Sequence, residues 1–312
     1  MARRASRELL AIMILAAVPY SSKSCNAQDI TLSNGLIGYW NFERSNGAVV
    51  SDLSGHGNNG VIFPATAASL VQRSGAFAGA LPFAGDSDHF VRIAATPTLN
   101  SLRRQITVIA VIYPTELWKP PTLLTRRIMK LRRKWGETVY YIRKLLGSDT
   151  ESFILTPTGV AAIVQRQWQE TRHPDQFFLG YGLRNNSLHY KWHIGLIDGS
   201  DISLYCLPKG EEQPQAAEWV QLAGTYDGVS GKMFLYVNGK IIGSLTHPGE
   251  IRLDAESLLR PITFGAELNG ANIDHASGEF SGYIHDVRIY NRALSEHEIS
   301  MLAVQATVLP AP

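Results

Sequence analysis

The sequence predicts an all-β protein, two antiparallel sheets packed as a sandwich, and three observations carry that expectation. Short aromatic and β-branched runs recur along the chain, separated by Gly, Asn, Asp and Pro. One of them, QITVIAVIYP at 105–114, is almost continuously apolar, as a strand covered on both faces must be. Asn238-Gly239, between the arms KMFLYV and KIIGSL, is the pair a type I′ hairpin turn needs, because both central positions take positive φ. Hydrophobic residues are 45% of the 312 and charged residues 18%, which excludes a disordered chain and supplies a sizeable core.

Taken in order, LIGYWNFE (36–43) and NGVIF (59–63) are aromatic and β-branched strands bounded by glycine. DHFVRIA (88–94) alternates. The 105–114 strand ends at Pro114, which removes a backbone donor. FFLGYGLRNNSLHYKWHIG (177–195) reads as a hairpin bent at Asn185, Asn186 and Ser187. WVQLAGTYDG, the VNGK hairpin, PITFGAE and GEFSGYIHDVRIYN complete the strands. One helix is expected, over RALSEHEISML: Ser295 and Glu298 form a capping box, and Leu294 can staple to Ile299. It should be about two turns long and close one end of the sandwich.

The ends and the middle differ from this pattern. Residues 1–27 read as an export leader, with Arg3, Arg4 and Arg7 before the apolar run 9–18 and Ala27 at the cut. That run is well short of the ~20 residues that span a bilayer. The mature chain is therefore expected outside the cytosol, secreted or in the periplasm and cell envelope. Of two cysteines, only Cys206 would remain, too few for a disulfide framework or a zinc site. The net charge of +2 indicates neither nucleic acid nor an anionic membrane as partner, but it hides a basic tract. Arg126, Arg127, Lys130, Arg132, Arg133, Lys134, Arg143 and Lys144 face a single acid, Glu137. About 119–175 reads as a basic, partly helical insertion into one domain spanning 28–312. It is either a solvated extension or a cationic segment that meets anionic lipid or acidic polysaccharide.

YWNFE, DLSGHGNNG, WVQLAGTYDG, GKMFLYVNGK and FSGYIHDVRIYNRALSEHEI, in that order, resemble the laminin-G-like domain of the concanavalin A-like lectin and glucanase superfamily. The resemblance implies a jelly roll of two curved sheets, a secreted setting and no catalysis in most members. It also implies that the loop 51–60 lies near a structural calcium ion, with Glu43, Asp52, Asn59 and Asp286 as oxygen ligands. His285 stands where relatives carry an acid, replacing a hard oxygen with a nitrogen calcium disfavours. Without a metal, Asp52 and Ser54 would cap a turn through local amides. An active-site role for His56 is a third reading.

For ligand binding, sugars are gripped by aromatic faces and planar polar groups, and the 177–195 hairpin offers Tyr181, Arg184, Asn185, Tyr190 and Trp192. Leu188, Tyr190, Trp192 and Ile194 share one face of their strand. That face either lines the core or forms a sugar platform. No strand carries the alternating acids of a glycosidase, and no nucleophile elbow or metalloprotease motif is present. The expected function is recognition or adhesion, directed at carbohydrate or a cell-envelope partner. A polysaccharide-active hydrolase of the same superfamily and a structural envelope protein are the alternatives.

Overall fold

The computed structural model describes residues 32–71, 77–85, 89–117, 161–166, 176–185, 187–211, 213–253, 257–268, 276–277 and 279–307. The expected leader and the basic tract Arg126–Lys144 lie outside them. The chain divides into two units, Met1–Asn34 and Gly35–Pro312, and the sandwich is in the second. Among the described residues no helix is long and apolar enough to cross a membrane.

The strands are β1 (Leu36–Asn41), β2 (Ser45–Asn46), β3 (Val49–Val50), β4 (Gly60–Phe63), β5 (Leu81–Ala84), β6 (Phe90–Ile93) and β7 (Gln105–Pro114). They continue as β8 (Ala161–Arg166), β9 (Phe177–Arg184), β10 (Ser187–Gly195), β11 (Asp201–Cys206), β12 (Val220–Asp227), β13 (Lys232–Val237) and β14 (Lys240–Thr246). Last come β15 (Ile262–Phe264), β16 (Glu267–Leu268), β17 (Ala276–Ser277), β18 (Ser281–Tyr290) and the helix α1 (Glu296–Thr307).

A seven-stranded sheet runs β1-β18-β7-β12-β13-β14, with β5 also paired to β18. A nine-stranded sheet runs β11-β10-β9-β8-β15-β6-β4-β3-β2. Every described pairing is antiparallel, and strands distant in sequence lie side by side, so the expected two-layer architecture is the one observed. Asn238 and Gly239 take φ of 49° and 76°, the type I′ turn expected of that pair.

The alternation along each strand shows where the core lies. On β7, Ile106, Val108, Ala110 and Ile112 enter the shared interior, while Ile109, Val111 and Tyr113 point to the outer face and are covered as well. Val220, Leu222 and Tyr226 of β12, and Ile284, Val287 and Ile289 of β18, join the same interior. Trp40 meets Phe264 of the opposite sheet edge-on, centroids 5.2 Å apart. Burying a large side chain of this kind is worth about 1.5–3 kcal/mol, so the paired inner faces supply the main drive to fold.

Two expectations about the periphery are corrected. The tract 119–175 is not wholly an insertion, because β8 lies inside it and pairs with β9 on one side and β15 on the other. The sequence TPTGVAAIVQRQWQE reads as either irregular or strand-like, and the strand is what forms, with its polar Gln165 and Arg166 buried. The helix has twelve residues, more than two turns, and packs on β12 and β14 over the seven-stranded sheet's outer face rather than closing an end. The capping box is present: Ser295 Oγ accepts from Glu298 N–H at 3.3 Å, and Glu298 Oε2 accepts from Ser295 N–H at 2.9 Å. Thr107 Oγ1 ties the helix entrance to β7, donating to the Arg292 carbonyl and accepting from Leu294 N–H.

Candidate functional site

The loop 51–60 is built around Asp52. Its Oδ1 accepts the N–H groups of Tyr39 and Ser54 at 3.0 and 2.9 Å. Its Oδ2 accepts the Ser54 hydroxyl and the Asn58 N–H, both at 2.9 Å. Those four donors fill the roughly four lone-pair directions a carboxylate has. Asn59 Oδ1 is likewise taken by Asp52 N–H. Asn58 then ties the loop inward: Trp40 Nε1 donates to its carbonyl, and its amide donates to the Ile37 carbonyl. This is a turn cap that fixes β1 against its neighbour, and His56 stands exposed on its rim.

The set Glu43, Asp52, Asn59 and Asp286 therefore does not fit a calcium ion. Asp52 has no oxygen lone pair left, and Asp286 is engaged by Arg288 Nη2 at 2.9 Å. Among the described residues, no three His, Cys, Asp or Glu side chains gather as a metal site would.

The 177–195 hairpin also falls differently from one of its two readings. Tyr181, Tyr190 and Trp192 are 2%, 1% and 0% exposed and line the interior. Trp192 Nε1 donates across the sandwich to the Thr225 carbonyl at 3.2 Å. Gly224 faces the same ring, where a Cβ would stand 2.3 Å from it. Rings so enclosed have no face to offer a sugar, and the sugar-platform reading of these three is corrected. Period-two alternation puts them on one face without saying which face is inside. Arg184 and Asn185 are exposed at the tip, Asn185 with φ of 53°.

A different site forms on the outer face of the seven-stranded sheet. A β-bulge lies between Ile284 and Asp286, where β18 runs past Val111 of β7. A bulge turns an extra side chain to the same side, so His285 and Asp286 both line one cavity there, of about 230 Å³. Tyr39 and Asn41 of β1 and Gln221 of β12 form its other walls, and Ile109 and Val111 its apolar floor. Glu43, in the 3₁₀ turn Phe42–Arg44, closes one side, and Leu302 of α1 another. Gly79 leaves room for Glu43, since a Cβ at that position would lie 2.7 Å from Glu43 Cγ.

The polar groups of this cavity are unusual. Asn41 Oδ1, both amide atoms of Gln221 and Arg288 Nε are buried without a hydrogen-bond partner. Each such group costs about 1–3 kcal/mol when left unanswered. Folded proteins leave few of them, and a group of them around one hollow is what a polar ligand or ordered water would satisfy.

An aromatic cluster adjoins the cavity through His285. Phe77 stacks on Tyr283 with centroids 4.1 Å apart and meets Tyr113 edge-on at 4.9 Å. Trp219 lies 5.4 Å from Tyr113 and 6.0 Å from the His285 ring. Phe77, Trp219, Tyr283 and His285 are half-buried rather than enclosed, and Trp219 Nε1 is a further buried donor without an acceptor.

Burial sets the local electrostatics. It pulls the His285 imidazole below its ordinary value, against the upward pull of Asp286 and Glu43, so the ring is neutral at neutral pH. Burial raises the Tyr39 phenol, and Asp286 adds to that. Burial alone would lower the Arg288 guanidinium, but Asp286 and the adjoining tyrosines outweigh it and hold the charge firmly. Its Cζ lies 4.4 Å over the Tyr39 ring.

Asn41, Gln221, Arg288, Trp219 and Tyr283 were not among the residues expected from sequence. The alternation Tyr39–Asn41–Glu43 within YWNFE was available as a signal. The bulge that joins His285 to Asp286 was not, because strict alternation places them on opposite faces.

Fold and site together define an antiparallel β-sandwich of the lectin-like kind, with an open polar cavity on one outer face. Residues 154–300 match a laminin G family model described as the concanavalin A-like lectin/glucanases superfamily. No curated protein matches its sequence. Among solved structures, it is similar to the binding domain of Paraclostridial Mosquitocidal Protein 1, at 16% identity and TM-score 0.54 over 87% of this chain and 52% of that one. It is similar also to the botulinum neurotoxin serotype D ligand binding domain in complex with N-acetylneuraminic acid, at 14% identity and TM-score 0.54 over 90% and 53%. A Trypanosoma rangeli sialidase matches at 13% identity and TM-score 0.51, over 89% of this chain and 34% of the enzyme. The chain thus spans about half or less of each of these structures, and the likeness is one of fold.

Proposed function

We propose that this protein is a non-catalytic carbohydrate-recognition module acting outside the cytosol, and that its sugar sits in the cavity between β1, β18, β7 and β12. The observation that carries the reading is the gathering of unanswered buried donors and acceptors, on Asn41, Gln221 and Arg288, beside half-buried rings. Sugar hydroxyls both donate and accept, so they can satisfy such a mixed set, while the apolar face of a sugar ring lies against aromatic carbon. The solved toxin domain that shares the fold and is complexed with N-acetylneuraminic acid supports carbohydrate as the ligand class. Export, expected from the leader, is consistent with a glycan or cell-envelope partner.

Gln221→Met keeps the volume and removes both amide atoms. Glycan binding, measured by array and then by titration calorimetry on the full chain, is expected to fall at least about tenfold in this variant, roughly 1.4 kcal/mol. Trp219→Ala should weaken it through the adjoining cluster. Binding unchanged in Gln221→Met would place the sugar elsewhere. Release of reducing ends from polysaccharide, abolished by Asp286→Asn, would replace recognition with hydrolysis.

A further inference from the structure

We infer that the cavity selects uncharged sugars over acidic ones, an inference that rests on the carbohydrate reading above. The unanswered groups are two acceptors, Asn41 Oδ1 and Gln221 Oε1, and two donors, Gln221 Nε2 and Arg288 Nε. A hydroxyl meets either kind. A carboxylate only accepts, so an acidic group directed here leaves both amide oxygens without a donor.

The usual means of holding a sugar acid is the two-pronged guanidinium fork. Among the described residues lining the cavity, Arg288 is the one guanidinium, and one prong of its fork is taken: Nη2 donates to Asp286 Oδ2 at 2.9 Å while the plane lies over Tyr39, which leaves Nε as a single donor rather than a two-pronged grip. The Asp286 and Glu43 carboxylates stand on the same walls. A ligand anion would meet them in a half-enclosed space where like charges are weakly screened. A fold shared with a sialic-acid-binding domain does not transfer the charge of the ligand, since the lining residues decide it.

The test is an array of glycan pairs that differ only by one sialic or uronic carboxylate, probed with the full chain at low salt. The neutral member of each bound pair is expected to bind about tenfold or more tighter, because like-charge juxtaposition is strongly penalised. Asp286→Asn, which releases Arg288 Nη2, should narrow that gap, and Gln221→Met should weaken binding of the neutral member about tenfold or more. Acidic members that bind as tightly as their neutral partners, and lose that binding in Gln221→Met, overturn the inference and leave the carbohydrate reading standing. If neither member of any pair binds, both fail. The wild-type comparison is decisive without the variants, so a misfolded substitution does not remove the test.

Discussion

The β9–β10 hairpin and the outer face of the seven-stranded sheet carry similar side chains, rings next to amides and charges, yet they differ in how far the rings are covered and in how many buried polar atoms lack a partner. On the hairpin Phe177, Phe178, Tyr181, Tyr190 and Trp192 are all enclosed, and Trp192 has its N–H answered by Thr225 across the interior, while the Tyr181 hydroxyl is a buried polar atom without a hydrogen-bond partner. On the outer face the rings are half-covered, and Asn41, Gln221, Arg288 and Trp219 hold buried polar atoms that the protein itself does not answer. Satisfied aromatic residues hold a fold together. Unsatisfied polar atoms beside accessible rings are a local deficit that stability alone would have removed, which is the physical ground for reading function there.

The largest expected effect lies on the hairpin. Trp192→Ala empties a space in which Gly224 makes way for the indole, and it should cost about 3–5 kcal/mol, lowering Tm by on the order of 10 °C. Glycan affinity of the protein that remains folded should be unchanged, as measured by calorimetry well below the new Tm. A variant that kept its Tm and lost its ligand would erase the contrast between the two regions.

Asp52 belongs with the satisfied group. Asp52→Ala strands the N–H groups of Tyr39, Ser54 and Asn58, and a loss of about 2–3 kcal/mol is expected in denaturant titration. Since its oxygens are filled by protein donors, a chelator should leave the wild-type Tm where it was. A chelator-dependent drop, absent in Asp52→Ala, would restore a bound cation to this loop.

How much of this was readable in the sequence depended on the kind of signal. Strands such as 105–114, the Asn238-Gly239 turn and the Ser295–Glu298 box write their geometry in adjacent residues, so the sandwich was legible. The candidate site was not, because it depends on which side of a sheet is covered. Leu188–Ile194 alternates identically whether Tyr190 and Trp192 face the core or a ligand. Gln221 sits in an apolar run where nothing nearby marks its amide as unpaired. Only the pairing of β18 with β7 reveals the bulge that brings His285 and Asp286 onto one face. Glu43 and Asp286 were anticipated together as metal ligands. Their nearness held, but the chemistry around them is amide and guanidinium rather than a cage of oxygens.

Gln221→Met gives a smaller effect of the opposite sign. Removing two buried amide atoms that have no partners should raise stability by about 1 kcal/mol, while the same substitution weakens the ligand. Stabilisation with loss of binding is the signature of a group retained for function. A destabilised variant would mean that Gln221 belongs to the structural class after all.

The smallest effect tests the helix that walls the cavity. Glu298 takes two hydrogen bonds from Arg292, at 2.6 and 3.1 Å, and these chiefly hold its carboxyl down to about 2 from an ordinary 4.5. A carboxyl depressed in the folded state stabilises above its unfolded value and loses that contribution as pH falls, here between about 4.5 and about 2. The pair reaches solvent, so the contribution is about 1 kcal/mol or less after screening. Arg292→Ala should flatten stability against pH across that window, as followed by thermal unfolding. Because Leu302 of the same helix lines the cavity, any loosening of α1 in acid should weaken ligand binding before the near-UV signal of the enclosed Trp192 changes. Simultaneous loss of both signals would mean that the helix and the interior open as one unit, and that the cavity is no more labile than the core.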